Sequence, residues 1–171
     1  FMVILRPMKV GDFVTVGGVT GTVREIGIFV TAIDTPDNVR TYVGNTKVFG
    51  DTIQNYSANE YRRVDLTAQL AHDADHDKAI ALLREKVKAV KNVHQGVGPD
   101  VEILEFNAAG PVLCVRPYCH TDHYWQVYFD TNKVIREELG KAGFGVAAKH
   151  YQLLMKSLPA SRSAGHSINP S

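Results

Sequence analysis

GDFVTVGGVTGTVREIG, Gly11 to Gly27, decides how the first third of this chain folds. Phe13–Val16 is a short run closed by the pair Gly17-Gly18, and the next residues set Val19, Gly21 and Val23 against Thr20, Thr22 and Arg24. Period-two alternation bounded by glycine turns predicts β-strands. Outward from there, Ile28–Ile33 is apolar and β-branched with Thr31 facing out, and Thr35-Pro36-Asp37-Asn38 is a turn sequence. Arg40–Val43 predicts a fourth strand, Gly44-Asn45 a further turn, and Val48–Ile53 leads to a last short strand near Asn55. Five short strands with close turns predict a small closed or partly closed barrel, since closure removes adhesive edges. Before them stands FMVILRP, an apolar run stopped at Arg6-Pro7. It reads either as a hydrophobic first strand or as the end of a longer apolar segment.

The bulk numbers limit what such a chain does. With 171 residues, there is room for one domain or two small ones. Nineteen Lys and Arg against eighteen Asp and Glu give a formal charge of +1, without the basic excess by which nucleic-acid binders declare themselves. No basic segment, apolar core and small-residue cleavage site occur in order, so no signal peptide is expected. Phe1–Leu5 as a helix would cover about 8 Å of a bilayer core of about 30 Å, so the chain as it stands is expected to be soluble. Cys114 and Cys119 have an odd separation along one predicted strand, which puts them on opposite faces and argues for two reduced thiols rather than a mutual disulfide.

The period changes in the second half. Val64, Leu66, Ala68 and Leu70 alternate in a strand from Tyr61 to Ala71. Asp75 is placed to cap a helix carrying Ile80, Leu83, Val87 and Val90, stopped by Gly96-Val97-Gly98-Pro99. Val101–Phe106 and Val112–Tyr118 flank Asn107–Gly110 as a hairpin. His120–His123 opens a second helix ending near Gly143, and Val146–Met155 has room for one or two strands. That order is β-α-β-β-α-β, the split ferredoxin-like motif. Ser157–Ser171 is rich in Ser, Pro and Gly and reads as a disordered tail.

Chemistry is sparse. His72, Asp73, Asp75, His76 and Asp77 fall in the first β-α turn, and Cys119, His120, Asp122 and His123 in the second. Were the strands feeding these turns adjacent and parallel, both turns would share one end of the sheet, bringing His72, His76, His120 and His123 within metal-ligand reach. Helix capping accounts for most of the acidic residues without a metal, so no metal and no cofactor are expected. There is no G-x-S-x-G, Walker loop or H-E-x-x-H, and Gly17, Gly18 and Gly21 do not precede a helix. Trp125 with Tyr124, Tyr128 and Phe129 reads as the core face of an amphipathic helix, with an aromatic binding surface as the alternative.

Taken in order, these residues resemble the small-conductance mechanosensitive channel (MscS-type) family. There the last pore-lining helix ends in an apolar run, followed by an Arg-Pro-Phe-like turn, Gly-Asp/Glu and the glycine-rich start of a β domain. The matching residues are Phe1–Leu5, Arg6-Pro7-Met8, Gly11-Asp12 and Gly17–Val23. Asn55-Tyr56-Ser57 is similar to the family's Asn-aromatic-Ser, Arg62-Arg63 to its paired arginines, and Asp73–Ala79 to its Asp-x-Asp-x-Asp-Lys-Ala helix start. The chain departs from the family at Gly44-Asn45, where Pro-Asn is common, and at Ala147–His150, where a Pro-rich segment is common.

The resemblance implies an α+β chain: the end of a pore helix and its turn over 1–10, an Sm-like β domain over 11–58, a ferredoxin-like α/β domain over 59–156 and the tail over 157–171. It implies a cyclic homo-oligomer, typically a heptamer, hanging as a cage from the missing transmembrane helices on the cytoplasmic side of a bacterial inner membrane. Ions and small solutes would pass through it when tension opens the pore in osmotic downshock, with no enzymatic role and no nucleic-acid partner. Arg6, Pro7 and Gly11 would be the helix-to-barrel hinge, and Gly44, Asn45 and Thr46 the loop that couples to the pore helix. Two alternatives remain at this level, a soluble Sm-like ring that binds RNA and a small metal-dependent enzyme built on the histidines.

Overall fold

The computed structural model describes residues 6–144. Phe1–Leu5, the strands expected in Val146–Met155 and the tail from Ser157 lie outside the described residues.

The first half is a five-stranded antiparallel sheet of order β4-β3-β2-β1-β5. Its strands are β1 (Phe13–Val16), β2 (Val19–Ile26), β3 (Val30–Asp34), β4 (Arg40–Gly44) and β5 (Ile53–Asn55). Gly17 and Gly18 make the β1-β2 turn at φ of 53° and 80°, a left-handed pair that lets Val16 sit opposite Val19. Val14, Val16, Val23, Ile33 and Val43 point inward and bury a small core with Met8 and Val48. Two boundaries differ from expectation. The third strand begins at Val30, because the Gly27 N–H closes a turn onto the Val30 carbonyl. Residues expected to form a turn and an extended run instead form α1 (Asn45–Gly50), whose buried anchor is Val48. A helix of six residues carries too few apolar positions to show a 3.6-residue period. It joins the sheet's outer strands, β4 and β5.

The second half is a three-stranded antiparallel sheet, β7-β9-β8, beside a two-stranded ribbon of β10 and β6. The strands are β6 (Arg62–Arg63), β7 (Leu66–Gln69), β8 (Asp100–Asn107), β9 (Gly110–Arg116) and β10 (Tyr118–Cys119). Leu66, Val115 and Val101 form one row across the sheet, and Ala68, Leu113 and Ile103 the next. Against that face pack α2 (His76–Lys88) and α3 (Tyr124–Lys141), through Ala79, Ile80, Leu83, Val87, Val127, Ile135 and Leu139. Asp75 caps α2 as expected, its carboxylate accepting the Lys78 N–H at 3.2 Å.

The single strand expected from Tyr61 to Ala71 is two, and so is that from Val112 to Tyr118. Pro117 explains both breaks. It has no N–H to donate, while its carbonyl accepts the Val64 N–H, so the ladder stops there and resumes with a new pairing, Tyr118 opposite Arg63. Cys114 and Cys119 are free and buried, and only Cys119 belongs to the helix-covered core. Burial pushes the Cys119 thiol up, against a smaller opposing effect of Arg62.

Leu113 is fully buried between sheet and helices. Leu113→Ala is expected to destabilise the fold by about 2–5 kcal/mol, and Asp75→Ala by about 1 kcal/mol as a lost cap. Chemical denaturation of the two variants side by side measures both, and equal losses would contradict the difference in mechanism.

Candidate functional site

The site is the lead-in to the first strand. Arg6 and Pro7 are exposed, Met8 drops into the small core, and the chain turns at Gly11 before entering β1. What holds this turn is a set of hydrogen bonds from three residues. The Asp12 carboxylate is buried, and its Oδ2 accepts the Lys9 N–H at 3.1 Å and the Asn55 side-chain amide at 2.8 Å. The same Asn55 Nδ2 donates to the Pro7 carbonyl at 2.9 Å. Asn55 Oδ1 accepts the Ser57 N–H, and Ser57 Oγ accepts the Phe13 N–H, each at 2.9 Å. The lead-in, β1 and the end of β5 are thus tied at one point. Gly11 donates to the Val23 carbonyl at 2.8 Å with φ of 98°. That dihedral suits glycine and strains any side chain, although a Cβ there would meet no atom within 4 Å.

Gly44 precedes α1 with φ of −60°, an ordinary extended conformation, and both it and Thr46 are exposed. Asn45 is committed elsewhere. Its Nδ2 donates to the carbonyls of Gly27 at 2.7 Å and Ile28 at 3.0 Å, and its Oδ1 accepts the Thr31 hydroxyl at 2.8 Å. Its backbone N–H also donates to the Phe29 carbonyl at 2.8 Å. Asn45 therefore braces the β2-β3 turn, which presents Ile28 and Phe29 at 88% and 82% exposure.

The histidines do not converge. β7 runs antiparallel to β9, not parallel as the metal arrangement required, so the turns at the ends of these strands leave opposite ends of the sheet. His72 lies beside Gly110 at the start of β9, whereas His120 comes after Cys119, beyond its far end. Strand rise alone separates them by ~25 Å. His76 opens α2 beside Asp77 at 3.7 Å. His120 Nδ1 accepts the Asp122 N–H at 3.1 Å and caps the 3-10 turn Thr121–His123, its ring 6.4 Å from that of His123. Among the described residues no three His, Cys, Asp or Glu side chains are grouped to hold a metal.

Sequence reasoning finds Asn55 and Arg62 only within motifs and gives neither a role. Arg62 lies between two rings, 4.4 Å from the centre of Tyr56 and 3.9 Å from that of Tyr124, and so joins the two halves. The aromatic run on α3 divides. Tyr124 and Tyr128 pack against the core as expected, but Trp125 and Phe129 stack on each other, 54% and 62% exposed.

A family model described as the β-domain of mechanosensitive ion channels matches residues 1–58. A small-conductance mechanosensitive channel of Edwardsiella ictaluri is 34% identical over 145 residues, covering 85% of this chain and 51% of that protein. An uncharacterized MscS family protein of Buchnera aphidicola subsp. Baizongia pistaciae is 29% identical over 155 residues, covering 91% of this chain and 55% of its own. In fold, the chain matches closed-state MscS of Helicobacter pylori with a TM-score of 0.74 at 18% identity, over 82% of this chain and 56% of that one. The class these matches define is that of mechanosensitive channels, with the β domain at the start of the chain. Residues 1–58 thus match the β-domain of the mechanosensitive ion channel family, and proteins of the MscS family are similar to this chain over most of its length. It spans about half the length of the curated relatives it matches. No helix among the described residues is long and apolar enough to cross a membrane.

Gly11→Val is expected to lower stability by about 1–2 kcal/mol through backbone strain alone, leaving the fold intact. Thermal unfolding with near-native circular dichroism checks it, and an unchanged midpoint would contradict the strain. Chelator is expected to leave the melting temperature of the wild type unchanged, in keeping with the separated histidines. A chelator-dependent shift that His120→Ala abolishes would overturn that.

Proposed function

We propose that this chain is the part of an MscS-type channel subunit that stands on the cytoplasmic side of a bacterial inner membrane. The assembled channel would open under membrane tension in osmotic downshock. In this reading residues 1–10 end the pore helix, 11–58 form an Sm-like domain, 59–156 a ferredoxin-like domain and 157–171 a tail. The sheet order β4-β3-β2-β1-β5 supports the first assignment, and the succession β7-α2-β8-β9-α3 with sheet order β7-β9-β8 supports the second.

The observation that carries the reading is the pair of hydrogen bonds that Asn55 Nδ2 donates to the Pro7 carbonyl and the Asp12 carboxylate. A domain that only filled space below a membrane would have no need to fix the path of the residues leading into it. Here that path is pinned from two directions, as expected where a load-transmitting helix meets its footing. Arg6, Pro7 and Gly11 are the hinge: proline fixes one dihedral, and glycine takes the left-handed turn beyond it. Gly44, Asn45 and Thr46 are the coupling loop, acting through the β2-β3 turn that Asn45 braces. Subunits form a cyclic homo-oligomer, a heptamer in this reading, that passes ions and small solutes and has no enzymatic activity. A net charge of +1 suits passage of both ion signs.

Light scattering over a concentration series is expected to give masses rising above the 18.9 kDa of one chain. A strictly monomeric mass at the highest concentration would overturn the ring. In patch recordings of a full-length subunit, Gly11→Val is expected to shift the tension threshold. An unchanged threshold and inactivation would overturn the hinge, and absence of tension-activated current in the wild type would overturn the channel reading.

A further inference from the structure

Between the two halves lies a cleft with Gly11 and Phe13 on one wall and Arg62, Thr121, Asp122 and Trp125 on the other. We propose that this cleft binds a small zwitterion, a molecule carrying one carboxylate and one ammonium group. The inference does not depend on the channel reading.

Arg62 supplies the seat for the carboxylate. Both faces of its guanidinium are covered, by Tyr56 at 4.4 Å and Tyr124 at 3.9 Å. What it offers the cleft is therefore its edge, where all five N–H donors lie in one plane. Among the described residues its side chain makes one hydrogen bond, Nη1 to the Thr121 hydroxyl at 3.3 Å, and no ion pair. A cation fixed by two rings, with in-plane donors unspent, is arranged for edge-on, two-point contact with a carboxylate. Holding the guanidinium in place beforehand removes most of the rotamer entropy that an arginine loses on binding.

Asp122 supplies the opposite charge. Its carboxylate lines the same cleft, three-quarters exposed, with His120 Nδ1 3.5 Å away. A bare anion approaching Arg62 would meet this negative charge. A ligand that brings its own cation would be attracted by it. Trp125 supplies a surface for that cation: its indole stands 54% exposed at the mouth of the cleft, and indole faces attract ammonium groups most strongly of all aromatic rings. One cation, one carboxylate and one indole thus line the same cleft.

Trp125 is the only tryptophan in the chain, so its emission reads the site directly. The experiment titrates the 171-residue chain with glycine betaine, with acetate and tetramethylammonium as single-charge probes at matched ionic strength. The expected result is a saturable change in emission with betaine, with acetate and tetramethylammonium each weaker by about tenfold or more. Asp122→Asn and Arg62→Lys are expected to weaken betaine by a similar factor, the second because lysine lacks the planar fork. The Asp122 side chain is largely exposed, so Asp122→Asn preserves the fold and remains decisive should Arg62→Lys loosen the junction. Absence of saturation with betaine, acetate binding as tightly as betaine, or an Asp122→Asn variant that binds betaine unchanged would each overturn the proposal.

Discussion

One side-chain amide fixes the geometry on which the first half depends. Asn55 Nδ2 donates to both the Pro7 carbonyl and the Asp12 carboxylate, joining the last strand of the sheet to the segment that precedes the first. Asp12 is buried, so its charge is tolerable only because these donors surround it. Losing either partner would leave a desolvated group behind, a larger penalty than the net worth of one hydrogen bond. Ser57 extends the tie to Phe13, so that the lead-in and two short strands, β1 and β5, share one anchor. A sheet of such short strands gains little from its ladders alone, and this polar knot secures the lead-in on either side of Met8, which enters the small core with Val14 and Val16.

The second half is organised differently. Its sheet buries one face under two helices, with two rows of three residues, Leu66-Val115-Val101 and Ala68-Leu113-Ile103, facing them. Pro117 then redirects the chain. By ending one ladder it frees Tyr118 and Cys119 to pair with Arg62 and Arg63, which carries the arginine to the seam between the halves. The seam thus depends on a single residue that cannot donate a hydrogen bond.

Much of this is legible from residues alone, and the failures have identifiable causes. Gly17-Gly18 and Asn107–Gly110 announce their hairpins because turn chemistry is local. Asp75 announces a cap for the same reason. Helix α1 is not legible, since one buried valine makes no period. The split at Pro117 is visible in principle, for proline inside a run demotes it. The apolar run Val112–Val115 before it and Tyr118-Cys119 after it, however, read together as one strand. The histidine arrangement failed on strand direction. Nothing in two β-α turns reveals whether their strands are parallel, and β7 and β9 are antiparallel. Asn55 and Asp12 could be found only as members of motifs, because a partly buried polar pair 43 residues apart leaves no mark on composition or spacing.

The stack of Arg62 between Tyr56 and Tyr124 gives the seam a directional compliance that the Asn55 knot lacks. Attraction between a cation and a ring changes slowly as the ion slides parallel to the ring face. A hydrogen bond weakens steeply with stretch and misalignment. The two ends of the first half are therefore joined to their surroundings by unlike bearings. At the lead-in, displacement has no slack to take up. At the seam, the first half can slip along the face of its Tyr56 ring, yet resists prying apart, because separation strips the guanidinium of that ring while Tyr124 stays with it. A displacement of Pro7 would therefore meet Asn55 and β5 before it meets the more compliant contact at the seam.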